Sequence, residues 1–211
     1  MTDASITADK LLQIEAIKLS PDKPYTWASG WKSPIYCDNR KVLSYPYIRE
    51  FIKSELCNVV FEKFPDAELI AGVATAGIAW GAMVADQLKL PFIYVRPKPK
   101  EHGLGNQIEG EYKQNQKVVV LEDLVSTGKS SLQVVDVLKN SGLEVIGMVS
   151  IFNYRFDVAT EAFGHSGVEL ISLTDYPALL EAAKGKGIVT EEQQEVLLKW
   201  RQDPANWAGV R

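Results

Sequence analysis

Four apolar residues, Val118, Val119, Val120 and Leu121, lie between the polar run 114–117 and the carboxylates Glu122 and Asp123. Three of them are β-branched and the run is too short for a free-standing helix, so it predicts a strand buried on both faces, as in a parallel sheet. A hydroxyl-rich turn follows, and then Leu132, Val135 and Leu138 recur at helical spacing until Asn140-Ser141-Gly142 stops the pattern. The same alternation runs along the rest of the chain. Residues 67–74 predict a strand, Thr75-Ala76-Gly77 a turn and residues 78–88 a helix. Further strands are predicted over 91–95, 143–152 and, at an edge, 168–173. Helices are predicted over 5–18, with Leu11, Leu12, Ile14, Ala16 and Ile17 inward, and over 46–64, with Phe51, Ile52, Leu56, Val59, Val60 and Phe64 as the apolar face. Two more cover 176–184 and 190–200, the last opened by the capping pattern Thr190-Glu191-Glu192. The alternation predicts an α/β fold, a mainly parallel sheet with helices on both faces.

Two stretches break the periodicity. Residues 19–46 are dense in Pro, Gly, Ser and aromatics and read as short strands and turns, a small hood outside the main sheet. Residues 96–116 carry many charges and almost no large apolar side chain. They are too polar to pack and too long for an ordinary connection, which predicts a mobile functional loop. The tail beyond residue 202 reads as an extended segment packed by Trp207.

The length of 211 residues suits one α/β domain with a substantial core. A net charge of −4 gives no basis for nucleic-acid binding, so an anionic ligand would need a local basic patch. Two cysteines, Cys37 and Cys57, without metal-type spacing fit a reducing cytoplasm. The N-terminus lacks the basic start and apolar core of a signal peptide, and no apolar run approaches the roughly 20 residues that span a membrane.

The chemistry concentrates where strands end. Ser126, Thr127, Gly128, Lys129 and Ser130 open the helix after residue 125. A helix N-terminus offers unpaired N–H groups and partial positive charge, hydroxyls add donors, and Gly128 lets the backbone come close, which together make a phosphate cradle. Glu122 and Asp123, expected just outside the C-terminal end of the strand, would repel a bare phosphate. They suit a ligand that also offers hydroxyls or a metal, such as a sugar phosphate. The GKS string is not a nucleotide P-loop, because Asp123 stands where that motif needs its first glycine. Thr75-Ala76-Gly77 makes a second turn where backbone can approach a ligand. Arg96, Lys98, Lys100 and His102 are bunched at the start of the polar loop and could close over a diphosphate. Arg155, just past a strand, could grip a carboxylate with two parallel hydrogen bonds. Plainer readings stay open for each: a capped helix, a tight turn, a solvated loop, a surface arginine and, for the hood, core tryptophans.

LEDLVSTGKSS, residues 121–131, resembles the phosphoribosyl pyrophosphate (PRPP) motif of type I phosphoribosyltransferases. YTWASGWKSPIYCDNR, residues 25–40, resembles the hood of orotate phosphoribosyltransferases, GVATAGIAWG their pyrophosphate turn, and RPKPKEHG, residues 96–103, their catalytic loop. The resemblance covers nearly the whole chain. It implies the type I phosphoribosyltransferase fold with PRPP held by Arg96, Lys100, His102, Glu122, Asp123, Leu124, Val125, Ser126, Thr127, Gly128, Lys129 and Ser130. The two carboxylates would take the ribose hydroxyls and the loop the 5′-phosphate. Ser126 and Arg155 would bind orotate, and Lys100, His102 and Asp123 would be catalytic. It implies Mg²⁺ as cofactor, held mainly through PRPP with no direct protein ligand, and a homodimer whose basic loops each complete the neighbouring site. The chain departs from some members that carry lysines where it has Ala28, Ala76 and Pro97; Lys32 and Lys98 are candidates to compensate.

The implied reaction joins orotate to the ribose 5-phosphate of PRPP, giving orotidine 5′-monophosphate and pyrophosphate in pyrimidine (UMP) biosynthesis. Two alternatives remain at this level: a phosphoribosyltransferase for another base, and a non-catalytic PRPP-binding regulator. The basic loop and Arg155 favour orotate, and the intact acidic pair favours an enzyme.

Overall fold

The computed structural model describes residues 3–27, 30–98 and 107–209. The chain opens on α1 (Ala4–Gln13), whose first turn is capped by the Asp3 side chain accepting from the Ser5 N–H. This helix stops well short of the predicted residue 18. Glu15 takes a positive φ of 53°, Ala16 N–H turns back to the Leu11 carbonyl, and Ile17 begins β1 (Ile17–Leu19). The apolar periodicity continues through Ile17 only because that residue is buried from a strand instead.

The hood follows as β2 (Tyr25–Thr26), β3 (Lys32–Ser33) and β4 (Ile35–Cys37), with β1 antiparallel to β4 and β2 antiparallel to β3. It ends in a 3-10 helix, Asn39–Ser44, that the sequence pattern did not disclose. The tryptophans of the hood pack rather than stand free. Trp27 meets Tyr154 at 5.4 Å and Trp200 at 5.7 Å between ring centroids, both edge-on. Trp200 in turn donates its Nε1 to the Lys32 carbonyl at 3.1 Å. The last helix of the chain therefore clamps the hood hairpin.

The main body comprises α2 (Pro46–Lys63), β5 (Leu69–Val73), α3 (Ala76–Leu88), β6 (Phe92–Val95), β7 (Ile108–Glu109), β8 (Lys117–Val125), α4 (Lys129–Asn140), β9 (Glu144–Asn153), α5 (Asp157–Ser166), β10 (Leu170–Asp175), α6 (Tyr176–Gly185) and α7 (Glu191–Gln202). The six-stranded sheet has the order β10-β9-β8-β5-β6-β7 and is parallel except for β7. The strand period of two divides it between two cores. Val119 and Leu121 face the core shared with α1, α2, α3 and α6, while Val118 and Val120 face the one shared with α4 and α5. Among the described residues no helix is long and apolar enough to cross a membrane.

Two further differences from the sequence reading matter. Helix α5 was not foreseen; its inward residues Ala159 and Phe163 stand one helical turn apart and Gly167 closes it at φ 67°, so the signal was present but short. The segment 96–116, expected to be an unpacked loop throughout, is not one at its far end. Ile108 is buried, Tyr112 packs against the α4 side of the core, and β7 pairs with Tyr94 and Val95. Arg96 and Gln107 are tied to each other: Arg96 N–H donates to the Gln107 carbonyl at 2.9 Å and Gln107 Nε2 to the Arg96 carbonyl at 2.8 Å. Lys100, His102 and Ala28 lie outside the described residues.

Candidate active site

Three C-terminal strand ends, those of β5, β8 and β9, converge on one edge of the sheet, where open α/β folds bind ligands. The acidic pair does not lie beyond β8, as its position after the apolar run suggested. The ladder with β9 continues through Glu122↔Ser150 to Val125↔Asn153, so both carboxylates belong to the strand. Glu122 is 5% exposed and Asp123 half-buried.

A buried carboxylate needs donors. Glu122 Oε1 accepts from the Asp123 N–H at 2.9 Å, and Oε2 from the Ser131 hydroxyl at 3.2 Å. Burial, and then the adjacent Asp123 charge, push the Glu122 carboxyl well above its ordinary range. Burial also raises Asp123, against the pull of the Arg40 guanidinium. The pair thus holds a proton more tightly than free carboxylates do.

On the other side the 3-10 helix of the hood meets β8. Asn39 Nδ2 donates to the Asp123 carbonyl at 2.7 Å, and Arg40 Nε to Asp38 Oδ1 at 2.6 Å. Cys37 neighbours the pair, and burial followed by the Asp123 charge pushes its thiol well up, so it is no thiolate nucleophile. Ser131, Asp38, Asn39 and Arg40 were not singled out from the sequence. Ser131 was findable, since it falls on the buried stripe of α4 with Val135 and Leu138.

Two helix N-termini flank the pair. α4 starts at Gly128, φ 78°, with no side-chain cap, so its first N–H groups face the turn of Ser126 and Thr127. The Thr127 N–H already donates to Ser126 Oγ at 2.6 Å, which tightens that turn. α3 starts at Thr75, also uncapped, after a cis Ala74–Thr75 peptide. Gly77 rides so close over β8 that a Cβ there would fall onto the Leu121 carbonyl oxygen. Uncapped N-termini on both sides of a carboxylate pair can hold two anionic groups around a hydroxylated ring.

Arg155 follows β9 on this same edge, its Nε donating to Asp175 Oδ2 at 2.9 Å. Arg96 stands at the end of β6, 3.6 Å from Glu109. Lys129 and Ser130 are exposed on the first turn of α4, and Leu124 and Val125 complete β8. Lys32 reaches back to Thr26 Oγ1 at 2.8 Å, within its own hairpin.

The model of the phosphoribosyl transferase domain matches residues 48–164, and the fold is that of the class: the chain belongs to the phosphoribosyltransferases. An orotate phosphoribosyltransferase of Phocaeicola vulgatus is 57% identical over 200 residues, covering 95% of this chain and 94% of that protein. One from Porphyromonas gingivalis is 53% identical over 206 residues, covering 98% of each. The crystal structure of orotate phosphoribosyltransferase from Aeropyrum pernix superposes with a TM-score of 0.75 at 28% identity, over 87% of this chain and 99% of that one. Within the class, the chain is a member of the orotate phosphoribosyltransferase family.

Proposed function

We propose that this site transfers the ribose 5-phosphate of PRPP to orotate, releasing pyrophosphate and forming orotidine 5′-monophosphate, a step of UMP synthesis in the cytoplasm. The observation that carries the reading is the pair Glu122 and Asp123 set between two uncapped helix N-termini. The α4 turn, Ser126 to Ser130, receives the 5′-phosphate. The α3 turn at Thr75 receives the diphosphate. Asp123 accepts from the ribose hydroxyls, and Glu122, engaged within the protein, keeps Asp123 in place.

The C1–O bond to pyrophosphate breaks, a C1–N bond to orotate forms as the orotate N–H proton leaves to solvent, and the ring carries positive character between the two events, as in glycosyl transfer generally. No protein nucleophile is required. Catalysis lies in holding the reactants in line and stabilising the leaving charge. Arg96, Lys100 and His102 meet the pyrophosphate, and they do so in the site of a partner subunit, so that the working unit is a homodimer. Arg155 and Ser126 hold orotate.

Both oxygens of Glu122 are engaged by protein donors, and Asp123, the more exposed of the two, is the carboxylate open to a ligand. That donor set fits a Mg²⁺ carried mainly on the oxygens of PRPP. When bound, the ion would supply charge neutralisation on the departing pyrophosphate. The test is the loss of orotate absorbance on mixing with PRPP and Mg²⁺. Turnover of another base with no turnover of orotate would overturn the substrate, and PRPP binding without turnover of any base would overturn the enzyme.

A further inference from the structure

Arg155 is held from three directions. Its N–H donates to the Asn153 side-chain oxygen at 2.8 Å, and its backbone stands in the left-handed region at φ 57°. From α7, Arg201 donates Nη2 to the Arg155 carbonyl and Nε to the Tyr154 carbonyl at 3.3 Å. The same Arg201 lines a cavity with Thr127 of the phosphate turn and Trp31 of the hood, which places this clamp beside the site. Farther out, Arg155 Nε donates to Asp175 Oδ2 at 2.9 Å. Asp175 Oδ1 is meanwhile occupied, accepting from Ala178 N–H at 3.0 Å as the cap of α6. With both oxygens engaged, the carboxylate is fixed relative to the helix and the strand end.

A guanidinium can meet a carboxylate with its Nε edge or with its two terminal nitrogens. Asp175 consumes the Nε edge. The terminal nitrogens of Arg155 have no protein partner among the described residues, and the side chain is 59% exposed while that of Asp175 is 17% exposed. The inner end is thus anchored and the outer edge presented to solvent. The β9–β10 register puts Asn153 opposite Asp175, so the anchor and the arginine leave the sheet at the same level.

We propose that Asp175 is a positioning residue for orotate: it locks Arg155 so that the two terminal nitrogens face the orotate carboxylate, while Arg201 fixes the backbone beneath. The inference rests on the assignment of Arg155 made above. It implies that recognition is geometric, since Asp175 already balances the charge of the arginine.

Asp175→Asn separates the two duties of the residue. Asparagine caps helices as well as aspartate does, so its oxygen can keep the Ala178 bond. Its amide nitrogen then faces Arg155 Nε, donor against donor. Asp175→Ser also keeps a cap and cannot reach the arginine. The expected result for both is a melting temperature near that of the parent and KM for orotate and for orotidine 5′-monophosphate raised about tenfold, as for loss of one charge-assisted hydrogen bond. KM for PRPP and pyrophosphate should stay within about twofold, which a general loosening would not allow. Arg155→Ala is the reference. If it leaves KM for orotate unchanged, the assignment of Arg155 falls and this inference with it. If it raises KM for orotate while both Asp175 variants bind orotate like the parent, or weaken PRPP equally, only the role of Asp175 is overturned.

Discussion

The Asn39 side-chain amide donates to the Asp123 backbone carbonyl at 2.7 Å, across 84 positions of sequence. Asn39 is 1% exposed, so the bond is made out of water and both groups would be left unsatisfied without it. The hood is thereby fastened to the strand that carries the acidic pair. Asn39→Ala should lower stability by about 1–3 kcal/mol, the usual penalty of a buried unpaired group. It should also raise KM for PRPP, because the Asp123 backbone loses its outer support. Urea melts and steady-state kinetics would check both; a variant as stable as the parent would show that the bond is incidental.

Asp123→Asn should cut kcat on the order of a hundredfold, the scale of removing one group aimed at the transition state. Its stability should depart from the parent in a pH-dependent way. Folding raises Glu122 above its ordinary 4.5 and Asp123 above its ordinary 3.8, in each case chiefly by burial. Within that interval the folded chain holds protons that the unfolded chain has released, so stability falls as pH rises through the ordinary range toward the raised values. Removing one of the two charges relieves that penalty. Asp123→Asn should therefore melt at or above the parent near pH 8, with the gap closing toward pH 4. Thermal scans across pH would reveal the opposite trend if the pair were stabilising.

Gly77→Ala and Gly164→Ala should move in opposite directions. At Gly77 the added methyl collides with the Leu121 carbonyl, and the α3 turn has to lift off the sheet. Such overpacking costs about 1–3 kcal/mol and should weaken PRPP binding as well. At Gly164, inside α5, a Cβ meets nothing within 4 Å. There alanine should gain up to about 1 kcal/mol through helix propensity. Differential scanning calorimetry of the two variants would decide the matter.

Lys100→Ala and Asp123→Asn should complement one another if the basic loop serves the neighbouring subunit. Each alone should be nearly inactive. After subunit exchange roughly half the dimers are mixed, and one site in each mixed dimer receives both intact parts, so about a quarter of all sites should work. A mixture that stays as inactive as its components, once exchange is confirmed by mass, would place the loop on its own subunit.

The alternation of strands and helices was readable because apolar period and length separate the two element types, as in β5 and α2. The turns that lead into α3 and α4 were readable because a short hydroxyl- or glycine-containing turn between strand and helix is a local signal. What escaped depends on partners far away in sequence. The carboxylates looked like the end of β8, since the apolar run ends at Leu121. Only β9 and the Ser131 hydroxyl make a strand with a buried glutamate favourable there. Ile108 and Tyr112 looked too sparse to pack, but the open edge of β6 gave them a place. Asp175 could be read as a helix cap before Tyr176-Pro177, but not as an anchor for Arg155, because its second oxygen works through tertiary contact.

The double tie between Arg96 and Gln107 sets a tether length. Whatever path residues 97–106 take, they leave and return to one point on the sheet edge. The path from Arg96 to Gln107 has to go out and come back, so at about 3.6 Å per residue the backbone cannot reach beyond about 20 Å from that point. A long flexible arm could have served a distant or loosely placed neighbour. A short tether acts as a ruler: a second subunit that borrowed Lys100 would have to bring its own diphosphate turn within that radius plus one lysine side chain, which would narrow the two-fold arrangements open to the pair.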